Sequence, residues 1–235
     1  MLIGNNEKAI ERMKAILING SPRKNMNTAK LLAEAARGAK DAGADTEAFN
    51  LYDLSFTGCK GCMACKMKDT RFVARCALKD DLTPVLEKCA DADAVIMGTP
   101  IYFSYPTGEF RSFLERFLFP VDTYMVKEAG NWESGRVKLF EGVKPCGIIY
   151  TMNCPEFLAG QVGYPQLMEP NRAEIERLYG HCEDLWCYDT YQVKDYSRYD
   201  INMFDEAAKR KQLEEQFPKD LQAAYDMGRH LIGIA

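Results

Sequence analysis

The stretch Ala15-Ile16-Leu17-Ile18-Asn19-Gly20-Ser21-Pro22-Arg23-Lys24-Asn25-Met26-Asn27-Thr28 joins two different periodicities. Its four apolar residues run without interruption into Asn19-Gly20, as in a parallel strand buried on both faces. From Thr28 to Ala42, Leu32, Ala35, Ala36 and Ala39 recur on one helical face, and Gly43 closes the run. Strand, polar loop and helix in that order form one unit of a parallel α/β sheet. Within the loop, Gly20 permits a tight exit from the strand, Ser21, Asn27 and Thr28 offer short donors, and Arg23 or Lys24 adds charge. Together with the free N–H groups and dipole of a helix N-terminus, this chemistry suits a phosphate monoester. The same Asn and Thr would also serve as plain helix caps. The loop is neither a Walker A motif nor a Gly-x-Gly-x-x-Gly fingerprint, which argues against an NTPase and a Rossmann dehydrogenase.

Outward from this unit the alternation continues. Thr46 to Leu51 reads as a second strand, and Asp80-Asp81 opens a helix with Leu82, Val85, Leu86 and Cys89 on one face. Ala94 to Gly98 is a third strand, followed by the amphipathic stripe Phe110, Phe113, Leu114, Phe117 and Leu118. Val143 to Tyr150 gives a fourth strand, and Glu169-Pro170 introduces a helix through Tyr179 that stops at Gly180. Leu185 to Val193 reads as the fifth strand, and a long helix from Phe204 to Leu231, broken or kinked at Pro218, ends the chain. The prediction is an α/β fold: a doubly wound five-stranded parallel sheet in a three-layer α/β/α arrangement, in one domain over residues 1–235. Residues 1–13 read as an N-terminal extension. Residues 119–142 and 152–169 read as irregular insertions, too long for ordinary connections and suited to a lid or to subunit contacts.

Directly after the third strand, Thr99-Pro100-Ile101-Tyr102-Phe103-Ser104-Tyr105-Pro106-Thr107-Gly108 brings three aromatics and two prolines to the sheet edge where ligands of open sheets bind. A rigid loop with ring faces and exposed N–H groups suits a planar flavin, and would equally serve as a hydrophobic cover for the edge. A third loop, Thr151-Met152-Asn153, borders the same crevice.

With both motifs quoted, the chain resembles the NADPH-dependent FMN reductase and iron–sulfur flavoprotein family. The likeness rests on "NGSPRKNMNTAKLL" and "GTPIYFSYPTGEFRSFLERF", covers residues 14 to about 155 well, and extends to the remainder only by general pattern. It implies a flavodoxin-like fold, non-covalent FMN, and dimers or tetramers that complete the flavin pocket. Carried over by position, Ser21, Arg23, Asn27 and Thr28 would bind the FMN phosphate, and Pro100, Ile101, Tyr102 and Phe103 would line the isoalloxazine ring. Met26, Thr99, Thr151 and Met152 complete the expected cofactor-binding set. The expected function is an FMN-dependent oxidoreductase that takes a hydride from NAD(P)H and passes electrons to a quinone, a flavin or a protein acceptor. Because the flavin carries the chemistry, no catalytic side chain is named. The alternative is an iron–sulfur flavoprotein acting as an electron carrier between a ferredoxin-like donor and FMN.

Nine cysteines include the crowd Cys59, Cys62, Cys65 and Cys76. In a reducing compartment such a group points to metal, cluster or thiol chemistry. Three cysteines at this spacing can wrap one face of a [4Fe–4S] cluster, with Cys76 as the fourth ligand. This resembles the compact motif of iron–sulfur flavoproteins, where the gap to the fourth cysteine is shorter; here ten residues intervene. The basic residues among and beside them, Lys66, Lys68, Arg71 and Arg75, would offset the cluster's charge. Free buried thiols are the plain alternative. Cys65 and Arg71 also fit the Cys-x5-Arg spacing of tyrosine phosphatases, but such a loop would follow the first strand, where Ser21 stands instead. A thiol–disulfide pair at Cys59-x-x-Cys62 lacks the strand-then-helix context. With only His181 and His230 in the chain, a His-rich zinc or iron site is not expected.

A formal net charge of −4 argues against a nucleic-acid partner. No apolar stretch reaches the roughly 18 residues a membrane helix needs. Residues 1–13 carry Asn5, Asn6, Glu7 and Glu11 and no apolar core, so they do not read as a signal peptide. The expected setting is cytoplasmic.

Overall fold

The computed structural model describes residues 12–235, so the expected N-terminal extension lies outside the described residues except for its last two. In chain order, β1 (Lys14–Asn19), β2 (Asp45–Asn50) and β3 (Ala94–Tyr102) begin the sheet, and β4 (Tyr105–Pro106) folds back antiparallel on the end of β3. β5 (Val126–Glu128) and β6 (Asn131–Arg136) form a separate two-stranded hairpin. β7 (Cys146–Thr151) and β8 (Cys182–Cys187) complete the main sheet. Its five long strands are all parallel, in the order β2-β1-β3-β7-β8. This is the flavodoxin-like doubly wound order, and its direction of winding reverses between β1 and β3.

Single-residue alternation sorts the apolar runs into two cores. Ile16 and Ile18 of β1, Val95 and Met97 of β3, and Ile148 and Tyr150 of β7 face one way. They meet α2 (Thr83–Asp91), α3 (Gly108–Leu118) and α5 (Tyr164–Tyr179), which follows the short α4 (Glu156–Val162). Leu17, Ile96 and Ile149 face the other way. There they pack on α1 (Asn27–Asp41) and on α7 (Phe217–Ile234), which follows α6 (Glu206–Glu215). Burial on both faces is why the central strands read as uninterrupted apolar runs. No helix among the described residues is long and apolar enough to cross a membrane.

α1 and α7 pack closely through two glycines. A Cβ on Gly38 would lie 2.0 Å from the carbonyl oxygen of Tyr225, and one on Gly228 would lie 2.0 Å from that of Ala35. Both obstacles are backbone, so neither can swing aside. Gly228→Ala is therefore expected to destabilise the fold by about 1–3 kcal/mol in chemical denaturation, despite the better helix propensity of alanine.

Several element boundaries differ from the sequence expectation. β3 runs on to Tyr102, so Pro100, Ile101 and Tyr102 stand on a strand end rather than in a loop. β7 and β8 start at Cys146 and Cys182, and β8 ends at Cys187, leaving Tyr188 to Val193 outside the strand. The stretch 119–142 contains the β5–β6 hairpin, and 152–169 contains α4 and the first turns of α5, so neither is wholly irregular. Pro170 sits inside α5 instead of opening a helix. The carbonyl it leaves unbonded belongs to Gln166, and both residues are exposed, so water can satisfy it. The closing helix is indeed broken: α6 and α7 meet at Gln216, with Pro218 in the first turn of α7, where proline is well tolerated.

Candidate functional site

A crevice opens at the carboxyl ends of β1, β3, β7 and β8, beside the point where the winding reverses. Ten of the twelve residues expected to bind the cofactor line it: Ser21, Arg23, Met26, Asn27, Thr28, Pro100, Ile101, Tyr102, Thr151 and Met152. The site was thus assembled from three separate loops or strand ends, as the parallel sheet requires.

The β1–α1 loop is held by its own donors. Ser21 N–H donates to Asn19 Oδ1 (3.0 Å), and Arg23 N–H donates to Ser21 Oγ (3.1 Å). Asn27 Nδ2 donates to the Tyr191 carbonyl (3.0 Å), and the Thr28 and Thr151 hydroxyls are 2.8 Å apart. No side chain caps α1, whose N-cap is the extended Met26. The polar residues of the loop therefore do not act as caps, and the first N–H groups of a fifteen-residue helix open into the crevice. Of the two candidate cations, Arg23 lines the crevice and donates to the Gln192 carbonyl (2.6 Å), whereas Lys24 pairs with Asp53 outside it. Gly20 keeps the loop low: a Cβ there would stand 2.8 Å from Phe110 Cβ. The Thr107 hydroxyl donates to the Gly20 carbonyl (2.7 Å) and accepts from Phe110 N–H at the start of α3.

Two expected residues fall outside the crevice. Thr99 is fully buried, and its hydroxyl accepts from Thr107 N–H (3.2 Å) and donates to the Pro100 carbonyl (3.0 Å), so it fixes the turn. Phe103 and Ser104 form the two-residue turn between β3 and β4 at φ of 48° and 71°. There Phe103 is 100% exposed, with Tyr102 and Tyr105 beside it on the rim. A two-residue hairpin favours positive φ at both turn positions, which throws this ring outward.

The crevice also takes in Asn153, Thr190 and Gln192. The last two are absent from the sequence expectation because it carries the fifth strand on to Val193. Asp189, at a φ of 52°, leaves that strand's path directly before them. Lys209 of α6, its side chain almost wholly buried, ties both loops down by donating to the Asn153 carbonyl (3.0 Å) and to Asp189 Oδ1 (2.6 Å). Asn153 Oδ1 is buried without a hydrogen-bond partner among the described residues. A buried acceptor left open in this way suits a ligand that brings a donor.

The four clustered cysteines converge at the other end of α3. Cys59, Cys62, Cys65 and Cys76 line one small pocket with Glu115, Arg116, Phe119 and Pro120. Burial pushes the Cys65 thiol up, against the pull of Lys66, and the nearby Cys76 and Cys59 sulfurs act in the same upward direction. Gly61 and Met63, at φ of 63° and 59°, give the loop its tight path. Cys59 N–H donates to Glu115 Oε2 (3.1 Å). Among the described residues the four sulfurs are not gathered tightly enough to share a single ion. Thiolates on a cubane bind different irons, so that spread is compatible with a cluster.

Of the expected basic residues, Lys66 stands close enough to the Cys65 sulfur to favour its thiolate. Lys66 donates to the carbonyls of Phe119 and Asp122, Arg71 lies over the Phe72 ring, and Arg75 pairs with Asp91. A cation not among those expected also meets a sulfur: Arg116, whose Nε donates to Cys76 Sγ (3.3 Å). Its side chain is 0% exposed, and it also donates to Asp80 Oδ2 (2.5 Å) and to the carbonyls of Thr57 and Leu78.

The sequence profile of the family described as NADPH-dependent FMN reductase matches residues 13–133, just over half of the chain. An iron–sulfur flavoprotein of Archaeoglobus fulgidus is 42% identical over 104 residues, which are 44% of this chain and 48% of the relative. One of Methanocaldococcus jannaschii is 35% identical over 104 residues, 44% of this chain and 51% of the relative. The match thus spans about half the length of these relatives. Among solved structures, the NAD(P)H:quinone oxidoreductase from Methanothermobacter marburgensis has a TM-score of 0.57 at 16% identity, covering 93% of this chain and 96% of its own. The azoreductase from Bacillus anthracis has a TM-score of 0.59 at 14% identity, covering 93% and 99%. At those identities the likeness concerns the fold.

Proposed function

The chain belongs to the NADPH-dependent FMN reductase family, and on that premise we propose an FMN-dependent oxidoreductase that takes a hydride from NAD(P)H and passes electrons to a quinone, a flavin or a protein acceptor. The observation that carries this reading is the uncapped start of α1, open to the crevice beside Ser21, Arg23, Asn27 and Thr28. Those four residues would hold the phosphate, where N–H groups, helix dipole and guanidinium act together. Pro100, Ile101, Tyr102 and Met152 would bound the ring, and the open Asn153 Oδ1 would accept from a hydroxyl or N–H of the cofactor. FMN supplies the capacity to take up two electrons together and release them singly; the protein binds it, orients it and limits water.

One chain offers a crevice of about 140 Å³, below the roughly 300–1,000 Å³ of a typical small-molecule site. Its rim also leaves Tyr102, Phe103 and Tyr105 exposed. Both facts support a pocket completed by a second copy, in a homodimer or homotetramer. Tyr124, Met125 and Trp132, exposed within residues 119–142, support that stretch as part of the contact. The cysteine usage supports a reducing, cytoplasmic setting. Protein purified without oxygen should release FMN on denaturation and sediment as an oligomer. Thr28→Val removes a donor to a charged acceptor and is expected to weaken FMN by about 1.5–3 kcal/mol, roughly ten- to a hundred-fold in Kd. Release of FAD, or no flavin even after reconstitution, would remove the assignment.

The convergence of four cysteines favours a second reading, the electron carrier. Cys59, Cys62, Cys65 and Cys76 would hold a [4Fe–4S] cluster, which supplies single-electron transfer. The iron–sulfur flavoprotein names of the relatives support this. α3 links the two sites: its cap Thr107 touches the β1–α1 loop, and Glu115 and Arg116 touch the cysteines. Eight residues at 1.5 Å each separate these contacts by on the order of 12 Å along the helix axis.

A further inference from the structure

The only two histidines of the chain are separated by 48 residues, yet the fold brings them together around one carboxylate. His181 directly precedes β8, and Glu183 is the second residue of that strand. Period-two alternation places both on the face that also carries Leu185 and Cys187. α7 covers this face: Cys187 Sγ donates to Asp220 Oδ2 (3.1 Å), and Leu185 packs in the core with Met227 and Leu231. His230 is next to Leu231 on that helix.

One ligand atom each from His181, Glu183 and His230 lie within 4.8 Å of one another. His230 Nδ1 is 3.4 Å from Glu183 Oε1, and the imidazole centroids are 6.1 Å apart at 81°. Tetrahedral ligands about 2.1 Å from a zinc ion stand roughly 3.4 Å from each other, so one pair already has the spacing. The exposed side chain of His230 is free to close the rest. His181 Nε2 is buried and has no hydrogen-bond partner among the described residues. Packing alone leaves that nitrogen desolvated and unpaired, which costs free energy that a metal–nitrogen bond would recover.

The geometry points to a divalent transition-metal site at His181, Glu183 and His230, of the zinc class, that clamps α7 to the edge strand β8. Two imidazoles and one carboxylate suit zinc and its neighbours, and offer too few oxygens for calcium or magnesium. The site lies at the amino end of β8, whereas the crevice is at the carboxyl ends of the strands, so the ion takes no part in flavin binding. Because Glu183 is half-buried and His230 exposed, the fourth position faces solvent.

Equilibrium dialysis of the flavin-loaded full chain against buffered Zn2+, followed by metal analysis, tests this. Zinc taken up by cysteines is common to all variants and cancels. The wild type should retain one more zinc per chain than His230→Ala or Glu183→Gln, or bind it at least tenfold more tightly, and zinc should raise the thermal midpoint of the wild type by more than that of either variant. Flavin content reports whether each variant is folded, and the near-isosteric Glu183→Gln decides if His230→Ala is not. Equal zinc content and equal thermal response in wild type and Glu183→Gln would overturn the proposal.

Discussion

Asp80→Asn is expected to lower the stability at pH 7 by about 3 kcal/mol, because it strands a buried charge. The Arg116 guanidinium is shut off from solvent, and among the described residues Asp80 is the one carboxylate hydrogen-bonded to it. Asp80 does more than pair: Oδ1 accepts from Leu82 N–H (3.2 Å) at the start of α2, and Oδ2 accepts from Thr57 N–H (3.4 Å). The amide of Asn can keep part of this geometry, so the loss reports mainly the missing charge. Replacing Arg116 by Met in the same chain should recover part of it, since no charge is then left unpaired. Burial alone would push the Asp80 carboxyl up, but the hydrogen bond and charge of Arg116 outweigh it and hold the group below its ordinary value. A depressed folded pKa gives stability that is present above the unfolded pKa of about 3.9 and disappears as pH falls through the folded one. Urea denaturation of wild type and Asp80→Asn should therefore show a constant gap from pH 8 to about 5 that narrows below pH 4. A gap independent of pH would mean that the carboxylate charge is not what Arg116 requires.

The sheet and both motif-bearing strand ends were legible because their signals are local. Ile16 and Ile18 against Leu17 record a two-sided strand within three residues. What stayed hidden depends on distant partners or on backbone that no residue type announces. Nothing near Arg116 reveals that it is buried, since its partner lies 36 residues away and its position falls beside an apolar stripe. The β3–β4 turn carries Phe103-Ser104 where Asn-Gly would advertise a hairpin, so the sequence of the strand end reads as a loop. Trp186, Tyr188 and Val193 have strand propensity, and only the positive φ of Asp189 turns the chain away, which concealed Thr190 and Gln192. Two histidines do not announce a His-rich metal site; spatial convergence, which composition cannot express, places them together beside Glu183.

Cys62→Ala is expected to remove all iron and acid-labile sulfide from protein prepared without oxygen, while leaving FMN bound. Cys59, Cys62 and Cys65 come from one loop, so the spacing of the three sulfurs is set by a short path through Gly61 and Met63. Cys62 is the exposed member, and its loss would open that corner of a cluster to water. Cys76 arrives from beyond a ten-residue excursion, whose closure cost rises only slowly with length. It is met there by Arg116, a buried cation that offsets thiolate charge even without metal. The pocket is therefore charge-matched on the Cys76 side and dependent on the close triad for its other three corners. FMN should survive because none of the four cysteines lines the crevice. Thr28→Val should show the converse, with flavin weakened and iron retained, since Thr28 lines the crevice and is not among the residues around the cysteine pocket. Iron and flavin assays on the same two preparations separate the sites. A wild-type protein fully loaded with flavin but free of iron would reduce the cysteines to packing or thiol chemistry, and leave the reductase without the carrier.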